Sequence, residues 1–165
     1  MINLHWISIG TGKLALTHRI GRRDSTRLAS LGVQRVVTLL CESEGAPLVG
    51  ELVQQAGLAW SWLPLRNGDA PRGDADIMLR AALPALSHRL DEGEAILIHC
   101  SAGIHRTGML AFALLRWRGY AESDALDLIG QMRLHTRNGL QSRQIAWGNR
   151  VIAESGELGV SQGKS

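Results

Sequence analysis

Ile98-His99-Cys100-Ser101-Ala102-Gly103-Ile104-His105-Arg106-Thr107-Gly108 is the stretch on which the reading of this 165-residue chain turns. Ahead of it lies Ala95 to Ile98 (AILI), an unbroken apolar run of the kind found where a strand is covered on both faces of a parallel sheet. Behind it, Thr107 to Trp117 is strongly apolar and ends before Gly119, which predicts a helix. A buried strand, a tight polar loop and a helix N-terminus in direct succession predict an α/β domain.

The loop between them has the composition of an oxyanion cradle. Consecutive backbone N–H groups of Ser101, Ala102, Gly103, Ile104, His105 and Arg106 can curl around a tetrahedral anion at the helix N-terminus. Gly103 allows the loop to close through a backbone angle other residues avoid. The Arg106 guanidinium is a planar fork suited to two equatorial oxygens of a phosphate. Those oxygens carry the charge of a phosphoryl-transfer transition state, so binding and catalysis share one set of groups. The same field favours the thiolate of Cys100, a nucleophile placed behind the phosphorus. Thr107 is placed to give its hydroxyl to that sulfur, and His99 to order the loop by hydrogen bonding. The competing reading, an inert buried cysteine, does not account for Cys, Gly and Arg at this spacing.

Working outward, Trp6 to Ile9 and Leu14 to Leu16 form a hairpin around Gly10-Thr11-Gly12. Asp24 or Ser25 caps a short helix that Gly32 terminates. Arg35 to Leu40 (RVVTLL) reads as a strand, Pro47 to Ala56 as a helix stopped by Gly57, and Leu58 to Leu63 as a strand closed by Pro64. Asn67 to Asp74 (NGDAPRGD) is loop chemistry, followed by a helix from Asp74 to Leu90 that Pro84 kinks. Ser123 caps a further helix to Arg133, and Gln141 to Ala153 forms the last one. The fold class is α/β, a single domain with a central, mostly parallel sheet flanked by helices. Residues 1–153 make the domain, and 154–165, rich in Gly and Ser, a flexible tail.

HCSAGIHRTG, residues 99–108, resembles the signature loop of the protein tyrosine phosphatase superfamily, His-Cys-five residues-Arg-Ser/Thr. Chain length and loop position are those of the small dual-specificity-like branch. The resemblance implies a cysteine-dependent phosphomonoester hydrolase with a phosphocysteine intermediate at Cys100, and no metal or other cofactor. It also implies an aspartate general acid on a loop about thirty residues before the cysteine. Many small members read Pro-x-x-Asp-x-x-x-Pro there; this chain reads Pro64-Leu65-Arg66-Asn67-Gly68-Asp69-Ala70-Pro71. Asn67 has no useful proton, so Asp69 takes the role, with Asp74 and Asp76 as alternatives. His105 stands where many members have glycine, and related branches acting on phosphoinositides or RNA 5′-triphosphates place other polar residues there. Several members also use a cysteine on a neighbouring strand as a redox partner, a role the resemblance offers to Cys41. Gln141 and Gln144 lie where some branches position water, without a motif that transfers the role.

Composition narrows the classes. Hydrophobic residues at 45% and charged residues at 20% describe a globular domain, and a net charge of +3 suits an anionic substrate without arguing for nucleic acid. No apolar run approaches the roughly 20 residues of a membrane span. Two cysteines make no disulfide framework, so a cytoplasmic protein is expected. The implied partner is a phosphorylated protein, phosphotyrosine foremost, or another anionic phosphomonoester. A phosphoinositide or RNA 5′-phosphate substrate is the second reading, a catalytically weak phosphobinding module the third, and a rhodanese-like sulfur transferase the fourth.

Overall fold

The computed structural model describes residues 1–161; the last four residues of the expected tail, 162–165, lie outside the described residues. Strands β1 (Ile7–Ile9) and β2 (Gly12–Thr17) form the hairpin, and β3 (Arg35–Thr38), β4 (Ala59–Trp62) and β5 (Ala95–His99) complete a sheet of order β1-β2-β5-β3-β4. Only the β1–β2 pairing is antiparallel; β2–β5, β5–β3 and β3–β4 are parallel. The expected α/β architecture is what the chain adopts.

β5 occupies the middle of the sheet, and all five of its residues are buried. Strand alternation splits its side chains between two cores. Ile96 and Ile98 join Leu14, Leu16 and Val37 against one layer of helices, while Leu97 joins Ala15 and Val36 on the opposite face. The first layer holds α3 (Asp74–Asp91), α4 (His105–Trp117), α5 (Glu122–Met132) and α7 (Ser142–Ser161). The second holds α2 (Ala46–Gln55), through Ala46, Val49 and Val53. Each fully buried Leu or Ile contributes about 1.5–3 kcal/mol, so a central strand covered twice is the most firmly held element available to carry a site.

Several boundaries differ from the sequence reading. The first helix, α1, covers only Arg22–Ser25, with Gly21 as its N-cap; Asp24 lies within the turn and accepts from the Gly21 and Ile2 N–H groups. Ser123 does not cap α5: Ala121 does, without a side-chain bond. α3 runs unbroken through Pro84. A short helix not anticipated, α6 (Leu134–Gly139), fills the gap before α7. α7 continues to Ser161 rather than ending at Ala153. Among the described residues no helix is long and apolar enough to cross a membrane.

Candidate active site

The carboxyl ends of β2, β5 and β3 stand level, with Thr17 and Thr38 registered on either side of His99. The chain leaves β5 at Cys100 and re-enters regular structure at His105, two residues earlier than the apolar pattern suggested. Gly103 has φ +69, and a Cβ there would be driven into the Thr17 carbonyl. Only glycine fits this position, because both the backbone angle and the close approach exclude a side chain.

The loop is fixed from several directions. Ser101 accepts from the Arg19 N–H at 2.9 Å. The Gly103 carbonyl accepts from Arg133 Nη1 at 2.9 Å and from Thr136 Oγ1 at 2.5 Å. These contacts occupy the Ser101 and Gly103 carbonyls. The Gly103 N–H donates to Cys100 Sγ at 3.2 Å, and the amides of Ser101, Ala102, Ile104, His105 and Arg106 have no protein acceptor among the described residues. Consecutive unpaired N–H donors at a helix N-terminus can form an anion nest. Cys100 itself is buried, 3% exposed, at its base.

Arg106 is 8% exposed, and a buried guanidinium needs compensation. Glu44 supplies it: Nη1 donates to Oε2 at 2.7 Å and Nη2 to Oε1 at 2.9 Å. Nη1 also donates to the Leu65 carbonyl at 2.8 Å. Counting five N–H donors on the fork, these bonds use three and leave Nε–H and one Nη2–H on a common edge. An edge of two parallel N–H groups is the geometry that can bind an oxyanion in bidentate fashion. The ion pair holds Glu44 well below the usual carboxylate range, at about 2, and raises Arg106 above its ordinary value. Glu44 is a residue the sequence reading missed. Its signal was available, since a buried arginine demands a carboxylate and Glu44 lies just beyond the end of the adjoining strand.

His99 is fully buried, and burial pushes its pKa down to about 4. Its Nε2 lies 2.8 Å from Thr38 Oγ1 and its Nδ1 3.3 Å from the Cys100 carbonyl. Trp60 Nε1 donates to the same Thr38 oxygen at 2.8 Å. With Thr38 accepting from Trp60, its own proton goes to His99 Nε2, and Nδ1–H faces the Cys100 carbonyl. A neutral histidine so placed orders the backbone beside the nucleophile.

Thr107 does not meet the sulfur: its Oγ1 is buried without a partner among the described residues. Arg133, read from the sequence only as the end of a helix, is part of the loop's support; burial lowers its pKa while Cys100 opposes that shift. Cys41 is half-buried just past β3, both thiols are free, and both reinforce the charge on Arg106.

The segment expected to carry the acid, residues 64–71, packs against the 100–106 loop through Gly68. Asn67 Oδ1 accepts from the Asp69 N–H at 3.0 Å, so Asn67 shapes the turn that presents Asp69. Asp69 is exposed and pairs with Arg143 Nη1 at 3.1 Å. Gln144, wholly buried at the start of α7, donates from Nε2 to the Gly68 carbonyl at 2.7 Å. A Cβ at Gly68 would sit 2.5 Å from His105 Cβ, so the loop of Asn67 and Asp69 and the 100–106 loop pack directly together. His105 Nδ1 is buried and without a partner there. Asp76, one of the alternatives, accepts from Trp147 Nε1 at one oxygen and Arg80 Nε at the other, both at 2.8 Å. It is committed to holding α3 against α7. Asp74 sits exposed in the first turn of α3.

Solved structures share this architecture. Kinase associated phosphatase, with its catalytic-site cysteine replaced by serine, is 21% identical with a TM-score of 0.74 over 96% of each chain. PTPMT1 in complex with PI(5)P is 18% identical with a TM-score of 0.70, over 92% of this chain and 99% of that one. A protein tyrosine phosphatase (putative) from Leishmania major is 19% identical with a TM-score of 0.67, over 90% and 98%. No curated protein sequence matches the chain. Residues 3–150 match the family model PTP-SAK, described as Swiss Army Knife protein, DSP-PTPase phosphatase domain. By that match, and on the fold it shares with small dual-specificity-like phosphatases, the chain belongs to the PTP-SAK family.

Proposed function

We propose that this protein hydrolyses phosphomonoesters through a phosphocysteine at Cys100. The observation that carries the reading is the run of unpaired loop amides beside a buried thiol, with the free edge of Arg106 oriented by Glu44. Cys100 Sγ attacks phosphorus, the S–P bond forms and the ester P–O bond breaks. The bonding pair moves to the leaving oxygen, which takes the proton of Asp69. Water then attacks phosphorus and gives a proton back to Asp69, and the S–P bond breaks to return the thiolate and inorganic phosphate. Asp69 is assigned because it rims the groove beside the loop while Asp76 is bound on both oxygens.

Phosphotyrosine is the first substrate class to test, because a phenolic leaving group asks least of the acid. The test is turnover of p-nitrophenyl phosphate by the wild type and by Cys100→Ser. Loss of all turnover in the variant supports the reading; wild-type protein that binds vanadate without turning over substrate makes it a phosphobinding module instead. A second reading, a phosphorylated inositol or other polyphosphorylated alcohol, is favoured by the arginines beside the acid loop. PTPMT1, whose fold is shared, has been solved with PI(5)P.

A further inference from the structure

A groove of about 840 Å³ runs beside the acid loop, with Arg66, Arg72 and Arg143 on its walls and Leu65, Pro71 and Ala75 beneath. It neighbours the 100–106 loop, since Asn67 and Asp69 on its rim flank Gly68, where a Cβ would sit 2.5 Å from His105 Cβ. Arg66 and Arg72 are exposed and have no acidic partner among the described residues. Arg143 has one, Asp69, at 3.1 Å, with both side chains more than half exposed. Three cations against one carboxylate leave the groove with an unbalanced positive charge.

The Arg143 contact bears on the chemistry assigned to Asp69. While Arg143 Nη1 holds Asp69 Oδ1, that oxygen is turned to the guanidinium rather than to a leaving group. An exposed pair of this kind is weak, so a stronger anion brought into the groove would displace it. A phosphate carries nearly two charges and three acceptor oxygens, where a peptide carboxylate would exchange one carboxylate for another without gain.

We propose, resting on the phosphatase reading above, that this groove is a second anion subsite. It selects small alcohols that carry a second phosphate beside the one being removed. That second phosphate takes Arg143, together with Arg66 and Arg72, and so frees Asp69 to turn to the leaving oxygen and serve as donor. The subsite thereby acts on kcat as well as on KM.

The experiment compares kcat/KM for an inositol bisphosphate and the matching inositol monophosphate, with p-nitrophenyl phosphate run in parallel. The wild type prefers the bisphosphate by about 10- to 100-fold, the worth of one or two charge-assisted contacts. Arg66→Ala and Arg72→Ala reduce that ratio by lowering the bisphosphate value. Arg143→Ala reduces it too, and in addition raises kcat for the monophosphate, a gain that an arginine serving only to hold the loop would not produce. A ratio near one in wild-type protein that turns over p-nitrophenyl phosphate overturns the subsite and leaves the phosphatase reading standing. A fall in monophosphate kcat on Arg143→Ala overturns the release of Asp69. A doubly phosphorylated peptide preferred over its singly phosphorylated form, with no such preference among inositol phosphates, overturns the assignment to small alcohols. Absence of turnover on every substrate removes the phosphatase reading and the subsite with it.

Discussion

Glu44 grips Arg106 end-on, one carboxylate oxygen to each terminal nitrogen at 2.7 and 2.9 Å, across 62 residues of sequence. This leaves the side edge of the guanidinium free for the phosphate of the proposed substrate. Glu44→Gln keeps the shape but loses the charge and one acceptor. Its kcat/KM on p-nitrophenyl phosphate is expected to fall about 100-fold, because the fork is no longer aimed. Vanadate affinity falls with it. Glu44→Ala also exposes the cost of leaving Arg106 unpaired, about 1–3 kcal/mol in denaturant unfolding. Unchanged vanadate binding in both variants would remove Glu44 from the binding machinery.

His99 makes stability depend on pH in a defined window. Its folded pKa is held at about 4, against an ordinary 6.5. Between those values the unfolded chain binds a proton that the folded one refuses, so stability falls as pH drops below 6.5 and the loss is complete near 4. From pH 7 to pH 5 the loss is roughly 2 kcal/mol. Glu44, whose folded pKa of about 2 lies below an ordinary 4.5, adds its own loss only under pH 4.5. Urea unfolding of wild type and His99→Gln at pH 7 and pH 5 separates the two groups. The wild type loses stability across the interval, and the variant holds nearly level.

The loop itself was legible in the sequence because it is contiguous. Ten adjacent residues, from His99 to Gly108, state the strand, the turn and the helix start, and local geometry does the rest. Glu44, Arg133 and Thr136 were not legible as parts of the site, and Gln144 only as a candidate without a role, because each reaches it across 30 or more residues of chain. Their side chains carry no local pattern; their roles exist only once β3, the α5–α6 junction and α7 have been packed around β5. The boundary errors have the same origin. Ser123 is a good capping residue, yet the packing of α5 moves the cap two positions earlier, to Ala121.

Gly103 is expected to tolerate no side chain. Gly103→Ala places a Cβ against the Thr17 carbonyl at a φ of +69, a combination worth about 1–3 kcal/mol of strain. The loop can escape only by shifting the Gly103 carbonyl away from Arg133 and Thr136, which turns amides out of the nest. Activity on p-nitrophenyl phosphate should drop by more than the stability loss explains. The check is to compare kcat/KM with the melting temperature; a variant that melts lower but keeps wild-type kcat/KM would show that the nest does not depend on this turn.

Asp69 and Gln144 separate proton donation from loop placement. An acid that protonates the leaving oxygen contributes about 10²–10⁴-fold for a poor leaving group and little for a good one. Asp69→Asn should therefore spare p-nitrophenyl phosphate within a few fold while an alkyl phosphate such as phosphothreonine peptide loses at least about 100-fold. The high-pH limb of the kcat profile for the alkyl substrate should vanish with it, since that limb reports the proton on the donor. Gln144→Leu keeps the volume in the buried slot but removes the bond to the Gly68 carbonyl. It should reduce the alkyl rate by a smaller factor, about tenfold, while leaving the pH limb in place, because the acid survives but is held less often over the leaving oxygen. If Asp69→Asn slows both substrates equally, proton donation resides elsewhere, and exposed Asp74 at the start of α3 becomes the residue to replace next.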